Sequence, residues 1–164
     1  MIGRLSRAAF GPGLFCAATF AACGEAVPET GTLAPACVDA DSDPTADVPF
    51  ASMIRPWMDR SETDPLAHGC KRCHYASAPE PMGIELGGLD MTTLASLRRG
   101  GRTSGTNIVI PGKPCESVLV QKLRGDYGAA PARMPKDGPP YWPDNWIQAV
   151  SDWIAEGAHG ADDD

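Results

Sequence analysis

Four stretches of the chain carry apolar residues at helical spacing. Phe50, Met53, Ile54, Trp57 and Met58 recur every three or four positions, with Arg55, Asp59 and Arg60 on the other side. That pattern predicts a helix at the start of an ordered domain, and Pro56 inside it predicts a kink or a split. Asp90 reads as the N-cap of a second helix over 91–99, which stops at Gly100-Gly101. A third helix is predicted over 117–124, apolar at Val118, Leu119 and Leu123 and ended by Gly125. The last is the clearest: Trp146, Ile147, Val150, Trp153 and Ile154 form one stripe, opened by Pro143-Asp144 and closed by Gly157. Only Ile108-Val109-Ile110 reads as extended. The expected fold is mainly α, a small domain of about four helices without internal repeats.

The connections between those helices are long and rich in glycine and proline. Of 164 residues, 18 are Gly and 16 are Pro, yet 43% are hydrophobic and four are Trp, which excludes wholesale disorder. Long loops in a compact domain point to function or to a constraint that the protein chain does not supply. A large cofactor at the centre would supply it. The net charge of −7 and the lack of a basic stripe exclude a nucleic-acid binder.

Residues 1–22 place Arg4 and Arg7 ahead of an uncharged stretch that is interrupted by Gly11, Pro12 and Gly13. It is short for a spanning helix and is expected to be a signal peptide, with Cys16 discarded along with it. Phe20-Ala21-Ala22-Cys23 resembles the lipobox of bacterial lipoproteins, with Phe20 where leucine is usual. The resemblance implies cleavage before Cys23 and lipidation of Cys23; an ordinary secretory signal is the other reading. Either exports the chain to an oxidising envelope compartment and leaves a mature charge of −9. Gly24 stands where inner-membrane retention uses aspartate, which points to the outer membrane.

Residues 23–48 are acidic, rich in Pro, Ala and Thr, and aperiodic, and are expected to form a disordered tether. About 25 flexible residues reach roughly 25–30 Å. No later apolar run is long enough to span a membrane, so the lipid would be the anchor. The domain is expected over 49–158, followed by an acidic tail, 159–164.

Cys70-Lys71-Arg72-Cys73-His74 is C-x-x-C-H, the attachment signature of c-type haem. Two thiols one helical turn apart can add to the two vinyl groups of one haem, and the adjacent imidazole then becomes the proximal iron ligand. A structural zinc site would need four nitrogen or sulfur ligands, and Cys37, Cys115 and His68 are scattered. A thioredoxin-like oxidoreductase would use the same two cysteines but needs alternating strands and helices. It stays as the alternative, using Cys70 and Cys73.

The other haem face needs a ligand or an open position. Met82 follows His74 by eight residues, too few to cross a porphyrin, and Met91 starts a helix. Met134 lies sixty residues beyond His74 between Pro131 and Pro135, which stiffen the loop, and is the expected distal ligand. His68 is too close to the motif to reach the far face, and His159 sits in a solvated tail.

The chain resembles the mono-haem cytochrome c domains of bacterial envelope lipoproteins. The matching segments are Cys70–His74, Gly87-Gly88-Leu89-Asp90, Ile110-Pro111-Gly112-Lys113-Pro114, 117–123, Arg133-Met134-Pro135 and 153–158. The resemblance implies a cytochrome c-like fold, covalent haem on Cys70 and Cys73, axial His74 and Met134, and packing of the first helix on the last near the haem edge. Cys115 departs from it, standing where the family has an acidic or small residue. Once Cys16, Cys23 and the haem cysteines are assigned, Cys37 and Cys115 remain, either as a disulfide or as two unrelated thiols.

The expected function is one-electron transfer rather than catalysis, because two filled axial positions leave no site for substrate. An acidic carrier is expected to meet redox partners with basic docking surfaces. A haem-based sensor or non-catalytic subunit is the further alternative.

Overall fold

Phe50, Ile54 and Met58 recur every four residues and are buried, so a single apolar stripe drives the first segment onto the core. It winds in two parts, a π-helical turn, Phe50–Ile54, and then helix α1, Arg55–Met58. Pro56, at the start of α1, has no N–H to return along the helix. The π turn takes one carbonyl out of the regular ladder where that donor is missing. The kink predicted at Pro56 therefore takes the form of a widened turn.

The computed structural model describes residues 36–127 and 133–162. The expected signal peptide, Cys16, Cys23 and the tether up to residue 35 lie outside the described residues. The described chain continues through α2, Lys71–His74, α3, Met82–Glu85, α4, Leu94–Arg99, α5, Val118–Arg124, and α6, Asp144–Ala155. Two 3₁₀ turns, Asp39–Asp41 and Gly105–Ile108, complete it, and no strand forms among the described residues. The fold is mainly α.

Two local expectations change. Asp90 does not cap α4; it accepts the Thr92 N–H at 2.8 Å. The cap is Thr93, whose hydroxyl accepts the Ser96 N–H while the Ser96 hydroxyl accepts the Thr93 N–H, so α4 starts later than predicted. Nor is 108–110 extended into a strand. Ile108 and Val109 are buried in succession, and the Ile110 N–H donates to Ser117 Oγ at 2.8 Å rather than to a neighbouring strand.

Helix α6 is the spine of the core. Its Trp153 ring lies 5.1 Å from Phe50, and its Trp146 stacks on Trp57 at 4.8 Å and 4°. Trp142 stands edge-on to both Trp57 and Trp146. Burying such rings accounts for much of what a domain this small can gain from its core.

The domain boundary expected at residue 49 moves outward, because the described residues from 36 onward belong to one compact unit with the rest. Cys37 and Cys115 form a disulfide with their Cα atoms 5.5 Å apart. From there the backbone of 39–48 is pinned to α6: the Asp43 N–H donates to Asp152, the Val48 N–H to Glu156, and Gln148 to the Asp41 carbonyl. These acidic side chains serve as backbone acceptors, so a polar, aperiodic segment docks without an apolar stripe. The tail docks in the same way, with Asp162 accepting the Leu94 N–H at 2.7 Å and pairing with Arg55.

Candidate functional site

Gly69 lets the chain pass hard against the end of α1. A Cβ there would stand 2.2 Å from the Arg60 carbonyl oxygen and 2.6 Å from that of Met58. The close approach brings the Cys70 N–H to the Met58 carbonyl at 2.7 Å. One helical turn follows, in which the Cys73 and His74 N–H groups donate to the Cys70 carbonyl at 3.2 and 3.0 Å. That turn brings Cys70 and Cys73 to one side of α2, and His74 follows directly.

Both cysteines are half-buried free thiols. Cys70 packs against the hydrophobic core, and burial, aided by the Asp59 carboxylate, pushes its thiol up to about 12. Burial and Asp137 also raise Cys73, against the opposing charges of Arg72 and Lys136. Neither is a thiolate at neutral pH.

His74 is held from two directions. Its Nδ1 lies 3.0 Å from the Leu89 carbonyl oxygen. A carbonyl only accepts, so Nδ1 carries the proton and Nε2 keeps the lone pair a metal needs. Burial holds the imidazole below its ordinary pKa, with the Leu89 bond opposing that shift, and the ring stays neutral. Against its flank lies Gly83, where a Cβ would stand 2.5 Å from both Cε1 and Nδ1. The contact continues outward from the ring. A Cβ on Gly87 would meet the Gly83 carbonyl oxygen at 2.7 Å, and one on Gly101 would meet that of Gly87 at 2.5 Å. Behind the imidazole, backbone packs on backbone.

Tyr75 anchors the next position. Its hydroxyl donates to Asp59 at 2.5 Å and accepts from Arg55 at 2.8 Å, while Arg55 also donates to the Met91 carbonyl at 2.9 Å. Burial keeps this phenol well above its usual pKa.

Met134 is half-buried, and its N–H donates to the Lys122 carbonyl at the end of α5, at 2.9 Å. Arg133 fastens the same place, donating from Nε to the Leu123 carbonyl at 2.8 Å with its guanidinium over the Tyr141 ring. Of the expected stiffening prolines, Pro135 is described and buried, and Pro131 lies outside the described residues. The loop beyond Met134 reaches back to the cysteine segment. Asp137 lies 3.4 Å from Arg72 and 3.5 Å from His68, and the His68 N–H donates to the Pro140 carbonyl at 3.3 Å. Trp142 adds a bond from Nε1 to the His68 carbonyl at 2.9 Å. His159 is exposed, and its carbonyl accepts from Trp153 Nε1.

The donor set suits a group that brings its own equatorial ligands. Among the described residues no three His, Cys, Asp or Glu side chains converge as the ligands of a bare ion would. What the turn offers is one oriented neutral imidazole and two adjacent thiols, with a methionine loop tied to the same segment. Haem fits that set.

Periodicity did not reveal Gly69, Gly83, Leu89 or Asp137. Gly83 and Gly69 act through the space they leave, and Leu89 acts through its carbonyl, which every residue type possesses. Asp137 alone carried a signal, a carboxylate three residues after Met134 in a loop bearing Lys136.

No protein family, curated protein or solved structure matches the chain.

Proposed function

We propose that the protein is a one-electron carrier of the bacterial cell envelope. In this reading it is a cytochrome c-like domain holding one haem through thioether bonds to Cys70 and Cys73, with His74 and Met134 as axial ligands. The observation that carries the reading is the 70–74 turn with its oriented imidazole, Nδ1 committed to the Leu89 carbonyl and Nε2 left as donor. Haem, when bound, supplies a one-electron iron couple.

The chain's own residues account for the rest. Leu89 and Gly83 fix the tilt and tautomer of His74 before any ligand arrives. Arg55, Tyr75 and Asp59 hold the backbone that follows it. Met134 would hold the iron opposite His74; its thioether, a weaker donor than a second imidazole, would favour the reduced state, and iron held by both residues would have no place for a substrate. A carrier follows, not an enzyme.

A thiol–disulfide oxidoreductase using Cys70 and Cys73 would need an attacking thiol of lowered pKa, and burial moves Cys70 the other way. A haem-based sensor or non-catalytic subunit would need Met134 to leave the iron readily. In the envelope reading, residues 1–22 are removed and Cys23 carries the lipid, in the outer membrane. No described helix is long and apolar enough to cross a membrane. With an acidic chain, the redox partner is expected to present basic residues, and transfer rates should fall with salt.

The test is the full chain expressed with haem-maturation machinery. A c-type spectrum that survives acid–acetone extraction is expected, and it should be lost in Cys70→Ser/Cys73→Ser. An extractable or absent chromophore in the unaltered chain overturns the proposal. Met134→Ala should abolish the low-spin Met-ligated signal; its persistence would reassign the distal ligand. Rapid carbon monoxide binding by the unaltered ferrous protein would favour the sensor.

A further inference from the structure

His68 Nδ1 is buried and has no hydrogen-bond partner, an arrangement that native proteins rarely leave without a use. The group facing it is Asp137 Oδ1 at 3.5 Å, just beyond a good hydrogen bond. The other oxygen of the same carboxylate faces Arg72 Nη1 at 3.4 Å. His68 and Arg72 flank Cys70 in sequence, on the segment that would carry the haem. Asp137 belongs to the loop that would present the distal ligand, three residues beyond Met134.

We propose that Asp137 is a positioning residue for Met134. Its carboxylate, shared between His68 and Arg72, latches the Met134 loop to the haem-attachment segment and so sets how firmly the thioether holds the iron. This inference rests on the haem reading above. The loop's other end needs no such help, since Met134 and Arg133 are already bonded to the carbonyls of Lys122 and Leu123. Within the loop from Met134 to Pro140, Asp137 meets the attachment segment through both carboxylate oxygens, one towards His68 and one towards Arg72. The pairing also explains the orphaned nitrogen. A shift of a few tenths of an ångström would close the His68–Asp137 contact into a hydrogen bond.

The experiment uses ferric holoprotein and titrates it with imidazole, which competes with Met134 for the iron. Asp137→Asn keeps the side-chain volume and removes the charge; apparent imidazole affinity should rise roughly threefold, the scale of a partly exposed ion pair. Asp137→Glu should return it towards the unaltered value, and covalent haem content should not change in either variant. Equal imidazole affinity in Asp137→Asn and the unaltered protein overturns the latch while leaving the haem reading intact. Absence of covalent haem from the unaltered chain overturns both. Should Asp137→Asn fail to accumulate, His68→Gln/Arg72→Gln removes both partners from the other side. That variant must show the same gain in imidazole affinity, and an unchanged affinity is again decisive against the latch.

Discussion

The two sides of this domain are built by different means. On one, α1, α6 and the 36–48 strap interlock through side chains: Phe50 on Trp153, Trp57 on Trp146, and a disulfide from Cys37 to Cys115. On the other, around His74, glycine backbone packs against the imidazole ring and against further backbone, and Gly83, Gly87 and Gly101 sit where any Cβ would collide. Side-chain packing carries hydrophobic free energy in proportion to the area removed from water. Glycine-to-backbone packing buries little apolar area and costs extra chain entropy on folding. It achieves position instead. The aromatic side holds the domain together, and the glycine side holds one imidazole at a fixed tilt. Trp142 joins them, edge-on to the tryptophan pair and bonded to the His68 carbonyl.

The division can be broken most severely at Trp153. Trp153→Ala should cost about 4 kcal/mol, read as a lowered urea midpoint. A loss under about 1 kcal/mol would remove α6 from the centre of the fold. Next, Cys37→Ser/Cys115→Ser opens a covalent loop with a sequence separation of 78 residues and should cost about 3 kcal/mol. Equal denaturation midpoints for this variant and the unaltered oxidised protein would show that the strap contributes nothing to the domain.

Gly83→Ala sharpens the contrast, since it adds one methyl group to the glycine side. The expected cost is about 2 kcal/mol, and, in the proposed haem reading, a displaced His74 that raises the high-spin fraction of the ferric protein. An unaltered spectrum would mean that Gly83 does not position the ring. The smallest effect belongs to Thr93→Ala, which removes the α4 cap and should cost about 1 kcal/mol without any spectral change. A spectral change there would show that α4 is coupled to His74 more tightly than the Met91-to-His74 backbone bond implies.

The same contrast explains which parts were legible from residue order. Helices α5 and α6 and the buried stripe 50–58 follow from apolar spacing, because side-chain burial is written directly into residue type. The start of α4 was misread, since Asp90 and Thr93 are both capable caps and only the fold decides which one meets the Ser96 N–H. Residues 36–48 read as part of a tether from residue order for a related reason. Their hold on α6 comes from Asp152 and Glu156 accepting backbone N–H groups, an interaction that leaves no periodicity in either segment. Short α2 is legible only through its C-x-x-C-H motif, and α3 not at all, as four-residue helices carry too little apolar pattern to detect.

Residue order by itself determined the mainly α class, the aromatic core of α6 and the C-x-x-C-H turn, because each is local or periodic. Only the tertiary structure decided that residues 36–48 belong to the domain, that Leu89 sets the tautomer of His74, and that Gly83 makes room for its ring. It also decided that Asp137 stands between His68 and Arg72. Those are contacts between groups distant along the chain, made through carbonyls, empty volume and single charges. Such features have no signature in sequence until folding brings their partners within a few ångströms.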